Sequence, residues 1–258
     1  EMLAPLVKRR VVAEPDVAKF VRIPPAVETV VPVRWSNQHL GFYLDVAENF
    51  ANWYRQMRKK ADQTSTNLNL IALLARIGAV ETACNVPQSG IEGFPYLGGL
   101  TSKPAFAIQH ITRLVQEGHK IIVYVKRPRL LEIIGEKLTE LGIDSVMVHG
   151  GLDIDARTKD MRDRYRFGSA PVLLATLGCV QTGLNLPETT RIVYLSRDWS
   201  AKTERQANAR ALRPQQKQTV GIDYMHRPGS IDDYQAQMVD FKADAADSGL
   251  DWATPRRA

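Results

Sequence analysis

The chain has 258 residues, a formal net charge of +6 and 44% hydrophobic residues. This composition is typical of a globular protein large enough for one domain with a smaller subdomain, and the modest positive charge favours an anionic partner without requiring one. No stretch reaches the length of an apolar membrane span, and no signal peptide opens the chain. We therefore expect a soluble, intracellular protein with no membrane association.

The first hundred residues are predicted to be mainly helical. Apolar residues recur at spacings of three and four between residues 35 and 85. A polar stretch without periodicity at 55–66 predicts a helix end followed by a mobile loop. Residues 88–101 contain four glycines, which indicates a linker or surface loop. The N-terminal third is therefore predicted to be a helical subdomain.

Beyond residue 100, predicted helices and strands alternate, which favours a parallel sheet with helices on both faces. Helices are predicted at 102–118, 128–141, 155–167 and 202–212 and from residue 230 onward. Strands are predicted at 120–125, 145–149, 172–176, 191–195 and 219–224. Gly118 and Gly142 mark two of the predicted helix ends.

The sequence argues against several kinds of site. Cys84 and Cys179 are too few for a disulfide framework or a four-cysteine zinc site. The five histidines lack metal-ligand spacing, so we predict no metal site within the chain. A Gly-x-Ser-x-Gly motif is absent, so nothing indicates a Ser-His-Asp hydrolase.

One region carries most of the functional information. The predicted buried strand 172–176 runs into a turn that contains glycine, and two arginines stand three residues apart on the predicted helix 202–212. At this spacing Arg210 and Arg213 would share one helix face, so both guanidinium groups could reach one phosphate group. Without its context, such a pair is most often a solvated helix face.

These two blocks resemble the fifth and sixth motifs of superfamily two helicases, in particular those of the Swi/Snf family of DNA-dependent ATPases. The matching residues are Thr176, Gly183, Leu184, Asn185 and Leu186, and then Gln206, Ala207, Arg210, Arg213 and Gln216. Ser200-Ala201 stands where the family has Asn-Pro, and Ala209 replaces a frequent glycine. Neither departure removes a charged group.

The resemblance extends through nearly the whole chain. Gly118-His119-Lys120 is similar to the family's fourth motif, and the sequence from Ala83 to Pro87 is similar to its Cys-Asn-His-Pro. The family resemblance implies a RecA-like α/β lobe at 101–250. It also implies an inter-lobe connector with a helical subdomain at 1–100, and a tail at 251–258.

A complete motor of this family also needs a phosphate-binding loop ending in Gly-Lys-Ser/Thr and an acidic strand end that binds Mg²⁺. The chain contains neither a Gly-Lys nor an Asp-Glu dipeptide, and it begins at Glu1 within the connector. We therefore interpret it as the second half of a two-lobe ATPase that uses ATP with Mg²⁺. The missing N-terminal ATPase lobe would hold the metal, and this part alone is expected to be inactive.

The resemblance also implies roles for individual residues. Arg210 and Arg213 would be arginine fingers, with Gly183, Asn185 and Gln206 on the nucleotide side of the cleft. Turns at the carboxyl ends of the strands would contact the nucleic-acid backbone, through Lys126, Arg127, His149, Gly150, Gly151, Thr176 and Leu177. Simpler explanations stay open, since Lys126-Arg127 also fits a solvated strand end and Gly150-Gly151 a tight turn. Trp199 fits either a stacking platform or a buried interface aromatic.

Double-stranded DNA is the partner that the resemblance favours, with a monomer as the expected state. The location would be cytoplasmic for a bacterial or viral protein and nuclear for a eukaryotic one. Two alternatives remain: a superfamily two helicase lobe acting on other DNA or on RNA, and a catalytically inactive lobe that serves as a nucleic-acid-binding scaffold. A Gly-Lys-Thr loop and an Asp-Glu box upstream in the parent gene would favour the motor.

Overall fold

The computed structural model describes residues 15–20, 23–64, 67–95, 97–179 and 185–252. A six-stranded sheet lies at its centre, with the strand order β1-β6-β5-β2-β4-β3 and every neighbouring pair parallel. The strands are β1 Ala26–Pro32, β2 Ile121–Val125, β3 Ser145–Val148, β4 Val172–Thr176, β5 Arg191–Tyr194 and β6 Val220–His226. The predicted parallel sheet flanked by helices is confirmed.

Helices cover both faces of this sheet. Their bounds are α1 Pro15–Ala18, α2 Asn37–Thr64, α3 Leu70–Asn85, α4 Ser102–Gln116, α5 Pro128–Glu140, α6 Ile154–Asp160, α7 Ala201–Asn208 and α8 Ile231–Trp252. A π-helical turn, Met161–Arg166, continues α6, and short 3₁₀ turns occur at Pro87–Ser89 and Leu177–Cys179. No helix in the described ranges is long and apolar enough to cross a membrane.

The two central strands explain why both faces are covered. All residues of β2 and β4 are buried, and both strands are continuous apolar runs apart from Thr176 at the end of β4. Such runs are typical of parallel strands packed on both sides. One core cluster joins the sheet to α4 and α5, and a second joins the opposite face to the π-helical turn and α7. A third core cluster lies between α2 and α3.

The predicted helix ends at Gly118 and Gly142 are confirmed. Both glycines have a positive φ, of 82° and 71°, directly after the ends of α4 and α5. A side chain with a Cβ is strained in this left-handed region, so glycine is suited to ending a helix there.

The prediction of a helix end and loop at 55–66 is wrong for most of that stretch. Helix α2 continues to Thr64, beyond which residues 65–66 lie outside the described part of the chain. The stretch Arg55–Thr64 contains neither glycine nor proline and is rich in Arg, Lys, Gln, Met and Ala, all good helix formers. The absence of an apolar stripe reflects its exposure and not a break in the helix.

Helix α7 is shorter than predicted. It ends at Asn208, so Arg210 and Arg213 lie on the turns that follow it and do not share a helix face. Proline disfavours helical backbone in the preceding residue, and Pro214 directly follows Arg213. We call residues 209–213 the arginine turn.

Strand β1 was not predicted from the sequence. It lies at the edge of the described sheet, where it pairs with β6 from Ala26 opposite Val220 to Pro32 opposite His226. Val27 and Val30 are more than half exposed, so the strand lacks the buried alternation that reveals most strands. The N-terminal third therefore contributes a strand as well as helices.

Candidate functional site

All six strands point the same way, so the turns after their carboxyl ends meet at one edge of the sheet. Because β4 lies between β2 and β3, the turn after β4 is a neighbour of the turns after both strands. The structure therefore brings the residues predicted to contact the nucleic-acid backbone to one edge of the sheet, as parallel topology requires.

Arg157 joins two of these turns. Its guanidinium donates to the His149 carbonyl oxygen at 3.1 Å and to Cys179 Sγ at 3.4 Å. His149 Nδ1 in turn accepts the Gly151 N–H at 3.2 Å. Gly150 and Gly151 are exposed, whereas Thr176 and Leu177 are buried. Thr176 and Leu177 therefore offer a ligand much less surface than the two glycines do.

Lys126 and Arg127 are held by the helical subdomain. Lys126 Nζ lies 2.8 and 2.9 Å from the two carboxylate oxygens of Glu81 on α3, and Arg127 donates to the Gly78 carbonyl oxygen at 2.9 Å. The Lys126 side chain keeps 36% exposure. An incoming phosphate would therefore compete with Glu81 for this ammonium group. The predicted phosphate contacts at both residues stay predictions.

The arginine turn is hydrogen-bonded to the end of the fifth-motif block. The Arg210 carbonyl oxygen accepts the Leu186 N–H at 2.8 Å. Buried Gln216 donates its side-chain amide to the Thr189 carbonyl oxygen at 2.7 Å. These bonds bring half-buried Asn185 beside the turn. Gly183, another predicted nucleotide contact, lies outside the described residues.

The side chains of Arg210 and Arg213 differ from the other partly buried arginines. Their Nε atoms are buried without a hydrogen-bond acceptor, and no other guanidinium nitrogen of either has a partner in the described ranges. Arg157, Arg166 and Arg227 also have an unsatisfied Nε, but Arg157 and Arg227 make other hydrogen bonds and Arg166 forms an ion pair with Glu188. An unsatisfied buried donor carries a free-energy cost that an anionic acceptor would remove.

The third predicted nucleotide contact is Gln206. It is exposed on α7 and lines an open pocket of ≈ 520 Å³ with Trp199, Lys202 and Lys242. Among the described residues, no hydrogen bond joins its side chain to Arg210 or Arg213. Its nucleotide-binding role therefore stays a prediction.

Two tyrosines that the sequence analysis did not single out hold the end of α7. Tyr124 on β2 donates to the Ala207 carbonyl oxygen at 3.3 Å, and Tyr194 on β5 donates to Asn208 Oδ1 at 2.8 Å. Burial raises the pKa of both phenols, so they stay protonated as donors. They fix the point where the arginine turn begins. Each tyrosine is a polar residue near the end of a predicted buried strand, and this position could have indicated a hydrogen-bonding role.

Glu81 is a second residue that the sequence analysis missed. It is buried, and besides Lys126 it accepts hydrogen bonds from Trp199 Nε1 and Gln235 Nε2. One carboxylate therefore links α3 to the turns after β2 and β5 and to α8. These contacts favour the interface role for Trp199. A single charged residue in the apolar stretch 77–84 was the available signal, because charged residues are seldom buried unless paired.

Further buried polar groups connect the helical subdomain to the sheet. Completely buried Lys103 lies 2.6 Å from Asn85 Oδ1 and 2.8 Å from Asp232 Oδ2. Completely buried Arg227 donates to His39 Nδ1 and to Ser102 Oγ, each at 3.0 Å. We call this set the junction network. Its members are His39, Glu81, Asn85, Ser102, Lys103, Arg227 and Asp232.

His39 is neutral within the junction network. Burial, helped by Arg227 and Lys103, lowers its pKa from 6.5 to about 4. Its Nε2 lies 2.6 Å from the Ala83 carbonyl oxygen, so Nε2 donates there and Nδ1 accepts from Arg227. Both ring nitrogens are therefore satisfied in one neutral tautomer.

Comparison with known proteins agrees with this geometry. Residues 102–215 match the helicase conserved C-terminal domain. The SNF2 domain-containing protein ENL1 of Oryza sativa subsp. japonica is 25% identical over 143 residues, which cover 55% of this chain and 14% of that protein. The chain carries a helicase conserved C-terminal domain and is similar to proteins of the Swi/Snf type. The resemblance predicted from the motifs is confirmed.

Solved structures show the same fold for the Swi/Snf-type lobe. The Sulfolobus solfataricus SWI2/SNF2 ATPase C-terminal domain superposes with a TM-score of 0.62 and 16% identity, covering 84% of this chain and 86% of that one. The core of the same ATPase in complex with dsDNA gives a TM-score of 0.66 and 18% identity, covering 94% of this chain and 49% of that one. The predicted RecA-like fold is thereby confirmed. The chain spans only a small part of the curated relatives it matches, 14% and 11% of the first two.

Proposed function

We propose that the chain is the second motor lobe of an ATP-dependent, DNA-stimulated translocase of the Swi/Snf type. The observation that carries the proposal is the arginine turn, in which two half-buried guanidinium groups have no acceptor among the described residues. Two unsatisfied cations beside Asn185 fit an anionic ligand such as a nucleoside triphosphate.

In this proposal Arg210 and Arg213 act as arginine fingers when the missing N-terminal lobe closes on this one. Bound ATP supplies the γ-phosphate on which negative charge accumulates during transfer. The two guanidinium groups neutralise that charge from a turn already fixed by Leu186, Tyr124 and Tyr194, so little reorganisation is needed. Gly183, Asn185 and Gln206 would line the nucleotide side, and the other lobe would hold Mg²⁺.

The same proposal gives the carboxyl edge of the sheet to DNA. The exposed Gly150 and Gly151 permit close approach of a sugar-phosphate backbone. Contacts through backbone N–H groups carry no sequence information, as a translocating motor requires. Arg157 would keep the turns after β3 and β4 in fixed register along the strand.

The first test uses a two-lobe protein that contains this chain. Arg210→Ala and Arg213→Ala should each reduce DNA-stimulated ATP turnover by roughly a thousandfold or more, the scale associated with arginine fingers. DNA affinity without nucleotide and the thermal midpoint should change little. Arg164→Ala is the matched control, because this arginine is half-exposed and already paired with Asp144. It should keep wild-type turnover.

Two outcomes would count against the proposal. Near-normal turnover in both folded variants would remove the arginine-finger role and favour an inactive scaffold lobe. Clear ATP hydrolysis by the purified 258-residue chain alone would contradict its assignment as half of a motor, because the chain has no Gly-Lys-Ser/Thr loop to hold the phosphates.

A further inference from the structure

The second half of helix α2 carries a compact positive surface. Arg55, Arg58 and Lys59 are all exposed, and their spacing places them on one helix face. Together with Tyr54, Asp62 and Gln63 they line an open depression of ≈ 520 Å³. Three cations and a single carboxylate make this depression positive. We call Arg55, Arg58 and Lys59 the basic face of α2.

Pairing within the protein does not account for the basic face. None of its three side chains makes an ion pair or hydrogen bond within the described ranges. Exposed cations on α4 and α5 behave differently. There Arg113 pairs with Glu117, Arg129 with Glu132 and Lys137 with Glu140, at 2.7–2.9 Å.

Helix stability does not account for it either. Cations stabilise a helix only within its last turn, whereas α2 continues beyond the basic face to Thr64. Like charges four residues apart, as at Arg55 and Lys59, weaken a helix slightly. The basic face therefore carries a small cost that an anionic partner would reverse.

The spacing of the cations suits a phosphate backbone. Arg55 and Lys59 are four residues apart, a rise of about 6 Å along the helix. The phosphates of one DNA strand rise about 3.4 Å each along the duplex axis, and neighbouring phosphates lie roughly twice as far apart through space because the strand winds around that axis. The two cations can therefore meet neighbouring phosphates of one strand, with Arg58 beside them.

We propose that the basic face of α2 is a second, sequence-independent contact for double-stranded DNA, separate from the turns at the sheet edge. The proposal rests on the proposed function, since it extends the DNA path of the same lobe. His39 in the first turn of α2 is tied to Arg227, and Lys59 lies about 30 Å further along the helix. At 3.4 Å per step this distance corresponds to about nine base pairs of duplex beyond the junction network.

The test compares salt dependence of binding to a duplex of about 30 base pairs, long enough for both surfaces. Arg55→Gln, Arg58→Gln and Lys59→Gln are combined in one variant of the full chain, because glutamine keeps helix propensity and removes charge. The matched control combines Arg113→Gln, Arg129→Gln and Lys137→Gln, which removes the same charge from ion-paired exposed positions. A third variant, Lys126→Ala with Arg127→Ala, reports on the sheet edge.

For the variant of the basic face, we expect the slope of log affinity against log salt to become shallower by roughly two to three units, about 0.9 for each lost contact. The matched control should keep most of the wild-type slope. An unchanged slope in the α2 variant, with a shallower slope in the Lys126 and Arg127 variant, would overturn this inference and leave the proposed function intact. Equal slopes in the α2 variant and the matched control would also overturn it, since only net charge would then matter.

Two further outcomes separate the remaining sources of failure. Absence of duplex binding by the wild-type chain at low salt would overturn both this inference and the DNA part of the proposed function. A polyglutamate peptide serves as the competing probe. Tighter binding of that peptide than of duplex, lost in the α2 variant, would assign the basic face to an acidic protein and overturn the DNA contact.

Discussion

The junction network and the arginine turn both bury positive charge, and they treat it differently. Lys103 in the junction network is completely buried, and its ammonium group bonds to Asn85 and Asp232. Arg210 and Arg213 are half-buried and have no acceptor among the described residues. A buried charge with all its partners present holds a fold together. In the proposed function, a charge whose acceptor is missing is arranged for a ligand, and this difference would separate structural from functional charges within one lobe.

The largest effect expected from this comparison is on stability. Lys103→Met should lower the free energy of unfolding by about 3–5 kcal/mol, because Asp232 keeps its buried charge and loses its partner. Arg213→Met should lower it by less than about 1 kcal/mol, because no hydrogen bond is lost. Urea denaturation of both variants provides the measurement.

A double variant tests whether the loss of stability comes from the unpaired charge of Asp232. Lys103→Met combined with Asp232→Leu removes both charges and should recover part of the lost stability. Equal destabilisation by Lys103→Met and Arg213→Met would show that the arginine turn is as structural as the junction network. It would then weaken the ligand argument.

The next effect concerns pH. His39 has a pKa of about 4 in the folded protein and 6.5 as its ordinary value, so the unfolded chain binds more protons between these pH values. Stability should therefore be constant above about pH 6.5 and fall by up to about 3 kcal/mol as the pH drops to 4. His39→Gln should flatten this dependence. Urea unfolding at a series of pH values tests it.

His119→Gln is the control for the pH series. His119 is partly exposed and bonds to Thr190, outside the junction network. This variant should keep the wild-type fall in stability. The same slope in wild type and His39→Gln would place the pH-sensitive group elsewhere.

The smallest effect concerns Lys126, which is both an ion-pair partner of the junction network and a predicted DNA contact. It pairs with Glu81 yet lies at the edge assigned to DNA. Lys126→Gln should make the salt dependence of DNA binding shallower by at most about 0.9 unit. It should lower the thermal midpoint only slightly, because Glu81 keeps Trp199 and Gln235. An unchanged slope with a clearly lower midpoint would make Lys126 purely a structural residue.

The sequence supports prediction best where structure is local or buried on both sides. Strands β2 and β4 are uninterrupted apolar runs, and glycines end α4 and α5, so these elements follow from short stretches of sequence. The end of α7 at Asn208 is harder to predict, because the sequence up to Pro214 contains no helix-breaking residue. Strand β1 could not be found in this way, because its partner β6 lies near the other end of the chain.

The candidate site shows the same limit. Its residues could be named because their motifs are contiguous, and parallel topology places the turns at one edge. The partners of Lys126 and Arg127 lie on α3, and no sequence pattern links α3 to either residue. The missing acceptors of Arg210 and Arg213 become visible only when every neighbouring group has been placed. Long-range pairing is therefore what sequence patterns leave undetermined.

Strand β1 has a consequence for how the chain is made. It emerges from the ribosome well before β6, its neighbour in the sheet, because β2 to β5 lie between them in the sequence. Contacts so distant in sequence slow folding, since a long loop must close before they form. The sheet can be completed only after β6 has emerged. Until then an unpaired strand edge is open to aggregation, so a chaperone that shields β1 during synthesis should raise the yield of folded protein.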